Sequence, residues 1–567
     1  MQPLRRGWRR QFLLVVLIAA LASTVSAQQL GNVTFENSGS KQAQASFLRG
    51  LAALHSFWYE EALDAFREST RIDPDFMMGY WGEAMTYNHP LWSEQDAGAA
   101  RLVIAKFRET PKLTQRERDY LNAVKLLYGD GEKGARDAAY SAAMEKIYRA
   151  YPDDLDAAAF YALSLLGLVR TDVKSFRLQA QAGAIALDVY QKNPNHPGAA
   201  HYIIHAFDDP DHAILALPAA RRYAEIAPEA HHARHMPSHI FLQLGMWPEA
   251  AASNESAWQA SDAWVKRKNL SITKRDYHSL HWLLYVYLQQ GRYRKAEELL
   301  TLMKQTMSES TYDDKLRPGY YETNYANMAA AFVVETERWE LAAKYFPPSS
   351  IDAPTADSTT MNGHSGHSAS QSPGSAPTVS TDGLMTVRPQ RGRQSLPLFI
   401  RGMADAVSGS AEAEKSLVAL KALNVSGGGQ ATAMLGIREL EITALMAARR
   451  KDYDQAIASM KHATIFEEAT GAPSGPPGLI KPSHELYGEI LLQAGRPREA
   501  VEQFKVALLR QPNRARSLLG LARAAAKSGD QSGATAAYAK LLEQWQQADR
   551  DLPELRETQE YLKKATP

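Results

Sequence analysis

The sequence contains no cysteine. That excludes disulfides in an oxidising compartment, and it removes thiolate metal sites and cysteine nucleophiles, so any metal must be held by His, Asp, Glu or water. Charge of one sign is also lacking: 64 Lys and Arg nearly cancel 63 Asp and Glu. Bulk charge therefore gives no reason to expect nucleic acid or an anionic membrane as partner. There is no P-loop, no G-x-S-x-G elbow and no H-E-x-x-H motif, which argues against the common nucleotide, esterase and metalloprotease chemistries. Past the N-terminal leader no stretch approaches ~18 uninterrupted apolar residues, so no integral membrane segment is expected after the leader is removed.

What is present starts with that leader. "MQPLRRGWRRQFLLVVLIAALASTVSAQQ" has four arginines, an apolar run from Phe12 to about Ala22, and small residues suited to cleavage after Ala27. Residues 1–27 read as a signal peptide, placing the mature chain in the periplasm or outside the cell. "RRQFLL" resembles the twin-arginine export motif, which implies passage across the membrane in the folded state; an ordinary secretory signal with extra arginines is the alternative.

A repeat organises the mature chain, for which a hydrophobic share of 45% supplies ample core. In "KPSHELYGEILLQAGRPREAVEQFKVALLRQP", which begins at Lys481, Gly488, Leu491, Ala500, Phe504, Ala507 and Pro512 occupy positions 8, 11, 20, 24, 27 and 32. These are the signature positions of the tetratricopeptide unit of about 34 residues. Small residues at 8 and 20 let the two helices of a hairpin approach, large ones fill the gap, and the proline stops the second helix. "ASFLRGLAALHSFWYEEALDAFRESTRIDP" keeps the register with Gly50, Ala62, Phe66 and Pro74, and Ala534 and Tyr538 continue it near the C-terminus. The chain thus resembles tetratricopeptide proteins, which implies an all-α superhelical solenoid of helical hairpins. Between these arrays lies a Ser-, Thr-, Pro- and Gly-rich stretch that cannot build a core. The expected order is an N-terminal array over 28–349, a disordered linker over 350–394 and a C-terminal array over 395–567. His364 and His367 fall in the linker and read as solvated.

Nine of the 16 histidines lie between His201 and His281. "AHYIIHAF" and "RHMPSHIF" each carry an i, i+4 pair, and His201 with His205 recurs as His235 with His239 at an interval of 34 residues. In repeat register both pairs fall at positions 5 and 9 of the first helix of a hairpin, and "YHSLHW" adds His281 at position 5 with His278 at position 2. That stripe faces the concave groove, where such solenoids bind ligands. Helix neighbours four apart lie ~5 to 6 Å from each other, packed helices ~8 to 10 Å apart, and zinc–imidazole bonds measure ~2.0 to 2.1 Å. Two adjacent helices can therefore offer several nitrogens to one ion. The expected ligands are His201, His205, His235 and His239, with His281 competing or serving a second site. His55, His89, Asp208 and His278 are expected around them, and His231 and His232 as exposed capping residues. An all-nitrogen set suits zinc or copper; a carboxylate with open positions would suit iron. A copied structural histidine pair would give the same spacing without metal.

Two further segments read as structural before functional: Glu83 in "YWGEAMTYNHPLW", and Lys481, His484 and Glu485 after a Pro- and Gly-rich ribbon. The functional expectation is a scaffold whose groove holds a divalent ion and binds a peptide, protein or small ligand. The alternatives are a metalloenzyme activating water or oxygen with Glu83 or Asp209 as base, and a metal-free interaction adaptor.

Finally, "HYIIHAFDDPDHA" beside "HMPSHIF", residues 201–213 and 235–241, resembles a recurrent signature of a group of exported bacterial tetratricopeptide proteins. The resemblance implies fold and export; it implies no activity.

Overall fold

The computed structural model describes residues 30–169, 175–309, 319–347, 382–424, 430–470, 473, 475–476 and 478–565. The leader, His364 and His367 lie outside these. The described chain is all-α, the one strand pairing being Asn88–His89 against Glu94–Gln95. Antiparallel helix pairs stack one on the next as an α-α solenoid of helical hairpins.

Two compact units emerge, and they do not coincide with the arrays expected from sequence. The first comprises residues 1–208, 212–240 and 256–264, the second residues 209–211, 241–255 and 265–567. The helix Asp382–Ser408 also begins inside the stretch read as linker; the earlier part of that linker lies outside the described residues.

One packing device recurs in each unit. Phe66 is fully buried between Gly50 and Gly82, where an added Cβ would approach its ring to 2.9 and 2.3 Å. Phe504 sits likewise between Gly488 and Gly520, with approaches of 2.8 and 2.2 Å. Residue numbers 50, 66, 82 and 488, 504, 520 share a step of 16. A ring from the second helix of each hairpin thus takes the space left by two absent side chains, one on its own first helix and one on the next hairpin.

In the second unit the residues after the Pro- and Gly-rich ribbon are core. Arg514, fully buried, pairs with Glu485 at 2.8 Å and Glu335 at 2.6 Å and donates to Tyr285 Oη at 3.0 Å. Lys481 joins through Glu485 at 3.0 Å. Arg514 and Lys481 outweigh the burial that would raise the Glu485 carboxyl, and hold it down to about 2.

Candidate metal centre

The helix Pro197–Ala206 begins with proline at its first position, and His196 Nδ1 accepts the Ala199 N–H at 3.2 Å as its cap. Gly198 follows because His55 lies against it: a Cβ there would sit 2.4 Å from His55 Nδ1. One turn on, His201 is fully buried and its Nδ1 lies 2.7 Å from the backbone oxygen of His55. A carbonyl can only accept, so the proton is on Nδ1 and Nε2 carries a bare lone pair.

That Nε2 is 3.0 Å from His205 Nε2 and 3.2 Å from His232 Nε2, and the three ligand atoms lie within 4.8 Å of one another. One lone pair satisfies one N–H donor, yet two imidazole nitrogens converge on it. A tetrahedral ion with bonds of ~2.0 to 2.1 Å spaces its ligand nitrogens about 3.3 Å apart, close to both distances. Burial, eased in part by the His55 carbonyl and reinforced by His239 and His55, pushes His201 down to about 3. It is therefore uncharged near neutrality. Burial first, then its histidine neighbours, holds His232 well below the usual range.

His232 corrects the expectation of an exposed cap: it is half-buried, as is His231. "HHARHMPSHI" does not form one helix, because Pro237 starts a new segment: His231–His235 ends and Pro237–Gln243 begins. The second i, i+4 pair survives the break, with His235 Nε2 and His239 Nε2 3.1 Å apart. Asp208 orients this pair, its Oδ2 accepting the His239 Nδ1 proton at 2.7 Å. The rings of His205 and His239 are 5.8 Å apart, and those of His232 and His235 6.0 Å.

His55, expected near the groove, belongs to a second group. Its Nε2 meets Asp156 Oδ1 at 2.8 Å and its Nδ1 meets Tyr202 Oη at 2.9 Å. His196 Nε2 is 3.4 Å from the same Asp156 oxygen. His55, Asp156 and His196 are spaced closely enough to ligate an ion, but tautomers argue against it. His196 Nδ1 accepts a backbone N–H, so its proton sits on the nitrogen that would have to bind metal. Burial opposes the Asp156 charge; the two imidazoles outweigh it and hold the carboxyl well below its ordinary range. The group pins His55, whose carbonyl in turn pins His201.

Phe57 covers the three convergent imidazoles, its ring 4.3 Å from that of His201, 5.8 Å from His205 and 5.7 Å from His232. Its φ is 51°, the left-handed region that bulky residues avoid. Such outliers gather at functional sites.

The remaining expected residues have the following settings. His89 stacks on Tyr59 at 3.9 Å and pairs with Glu94 at 3.2 Å. Glu83 is buried and bound at 2.8 Å by Arg67, which lies on the preceding helix Tyr59–Ile72. His278, His281 and Asp209 belong to the second unit. His281 lines a cavity there with Tyr285, Asn327, Glu335 and Ile480; burial and His278 bring it down to about 4. Asp209 accepts the Asp211 N–H at 2.9 Å. Sequence reasoning missed His196, Asp156 and Phe57. No local pattern marks them, because each acts across tertiary contacts.

Among known proteins, tetratricopeptide repeat family models match residues 43–76 and 488–549. No curated protein matches the chain. A tetratricopeptide repeat protein from Parabacteroides merdae is similar at 14% identity, covering 60% of this chain and 100% of its own, with a TM-score of 0.29. The Cut9–Hcn1 hetero-tetramer of the APC/C is similar at 12% identity, covering 93% and 97%, with a TM-score of 0.25. Yeast Tom70 is similar at 8% identity, covering 93% and 89%, with a TM-score of 0.22.

Proposed function

We propose that this chain is an exported tetratricopeptide scaffold that holds a divalent transition ion on His201, His205 and His232 and binds a protein or peptide partner. One observation carries the reading: a buried, uncharged His201 presents a bare Nε2 at 3.0 and 3.2 Å to two other imidazole nitrogens. Three neutral nitrogens suit zinc or copper, and they leave a coordination position for a partner's carboxylate or imidazole. The repeats supply the partner-binding scaffold, and the arginine-rich leader supports export, by the secretory or the twin-arginine route. No helix among the described residues is long and apolar enough to cross a membrane. The enzymatic alternative loses support at Glu83, whose carboxylate Arg67 already holds.

The test is elemental analysis of the mature protein from its export compartment beside a His205→Ala, His232→Ala variant. Metal near one equivalent or more in the wild type, and its loss at this site in a variant of unchanged helix content, is expected. A metal-free wild type leaves an imidazole-lined, metal-free adaptor.

A further inference from the structure

The first site uses three imidazoles and leaves two beside it. We infer that His235 and His239 hold a second divalent ion, so that the first unit carries a two-metal centre; this rests on the reading of the first site. The pair repeats the features that mark His201. Asp208 fixes the His239 tautomer through Nδ1, as the His55 carbonyl fixes His201, and turns a bare Nε2 towards His235 Nε2 at 3.1 Å. A carboxylate on the far nitrogen is the usual means of orienting a metal-bound imidazole and raising its basicity. Both rings are withdrawn from solvent, His235 fully and His239 to 9% exposure.

Five imidazoles exceed what one tetrahedral ion takes. The ring separations of 5.8 Å for His205–His239 and 6.0 Å for His232–His235 make the pair a neighbour of the first group. Two-metal sites typically hold their ions about 3.5 to 4 Å apart. Such a pair takes a bridging oxygen donor: a water or hydroxide, or the oxygen of a carboxylate or phosphate group. The ligand class at the open positions is thereby an oxyanion.

Copper(II) titration of the metal-free mature protein, followed by elemental analysis and electron paramagnetic resonance, tests this. Two equivalents per chain are expected, with the resonance weakened by coupling between ions. The His235→Ala, His239→Ala variant is expected to take one uncoupled equivalent. Asp208→Asn, which keeps every ligand, is expected to weaken only the second equivalent by about 10- to 100-fold. One equivalent in both wild type and double variant overturns the second ion and leaves the first. Loss of all copper from a folded double variant overturns it too, since the histidines would then share one ion. No copper in the wild type overturns both readings.

Discussion

The backbone oxygen of His55 and Nδ1 of His201 lie 2.7 Å apart, joining residues 146 positions distant in the chain. That hydrogen bond decides which nitrogen of His201 is free, and His55 is itself held by Asp156 and Tyr202. The site's chemistry is set by an acceptor that is not a side chain.

Gly198→Ala tests this support. The new methyl would lie 2.4 Å from His55 Nδ1, so His55 must move and the grip on His201 loosen. Metal affinity is expected to fall about 10- to 100-fold, with a stability loss of about 1 to 3 kcal/mol. Competition with a chromophoric chelator reads the first, urea unfolding the second. Unchanged affinity would show that His201 needs no such orientation.

Acid is expected to weaken the metal-free protein. Burial brings folded His201 down to about 3, against ~6.5 in an unfolded chain, and His55 and His232 are lowered as well, chiefly by burial. Between those values the unfolded chain binds more protons. Stability is therefore full above pH ~6.5 and lost as pH falls toward 3, by up to ~1.4 kcal/mol per pH unit for each such group. Asp156, lowered by its imidazoles against burial, adds a loss that begins below ~3.9. Denaturant midpoints at pH 7.5, 6 and 5 check the sign; a flat profile contradicts it.

The glycine–phenylalanine packing is expected to resist even one methyl. Gly82→Ala and Gly520→Ala would bring Cβ to 2.3 and 2.2 Å from the rings of Phe66 and Phe504, costing about 1 to 3 kcal/mol each. Gly495→Ala, with open space around its Cβ but a φ of 74°, is the comparison: its cost comes from backbone strain alone, about 1 to 2 kcal/mol. Pairing Gly520→Ala with Phe504→Leu should recover part of the loss only for the packed glycine.

In the second unit Glu485→Ala is expected to cost about 3 to 5 kcal/mol, because it strips one partner from each of two buried cations. Arg514 keeps Glu335 and Lys481 keeps Glu489 at 2.6 Å, so the variant should still fold but unfold at lower urea. Calorimetry reads the loss directly, and an unchanged transition contradicts it.

The sequence made the helical hairpins legible because Gly50, Phe66, Gly488 and Phe504 obey a steric rule with a fixed period. It made the two histidine pairs legible for the same reason. His232 was misread as a cap because its partner nitrogen comes from His201 on another helix, and Asp156 was invisible because a buried carboxylate has no periodic signature. The compact units were not legible either: contact density follows stacking, while the low-complexity stretch follows composition.

Phe57 holds a backbone conformation of the kind that costs of order ~1 to 3 kcal/mol, and its ring lies against the imidazoles of His201, His205 and His232. The chain thus maintains a hydrocarbon wall over one side of its nitrogen cluster. An ion seated beneath it would meet water and competing chelators through a narrowed arc. Its residence time would then depend on how often that wall swings aside, making retention a kinetic property as much as a matter of affinity.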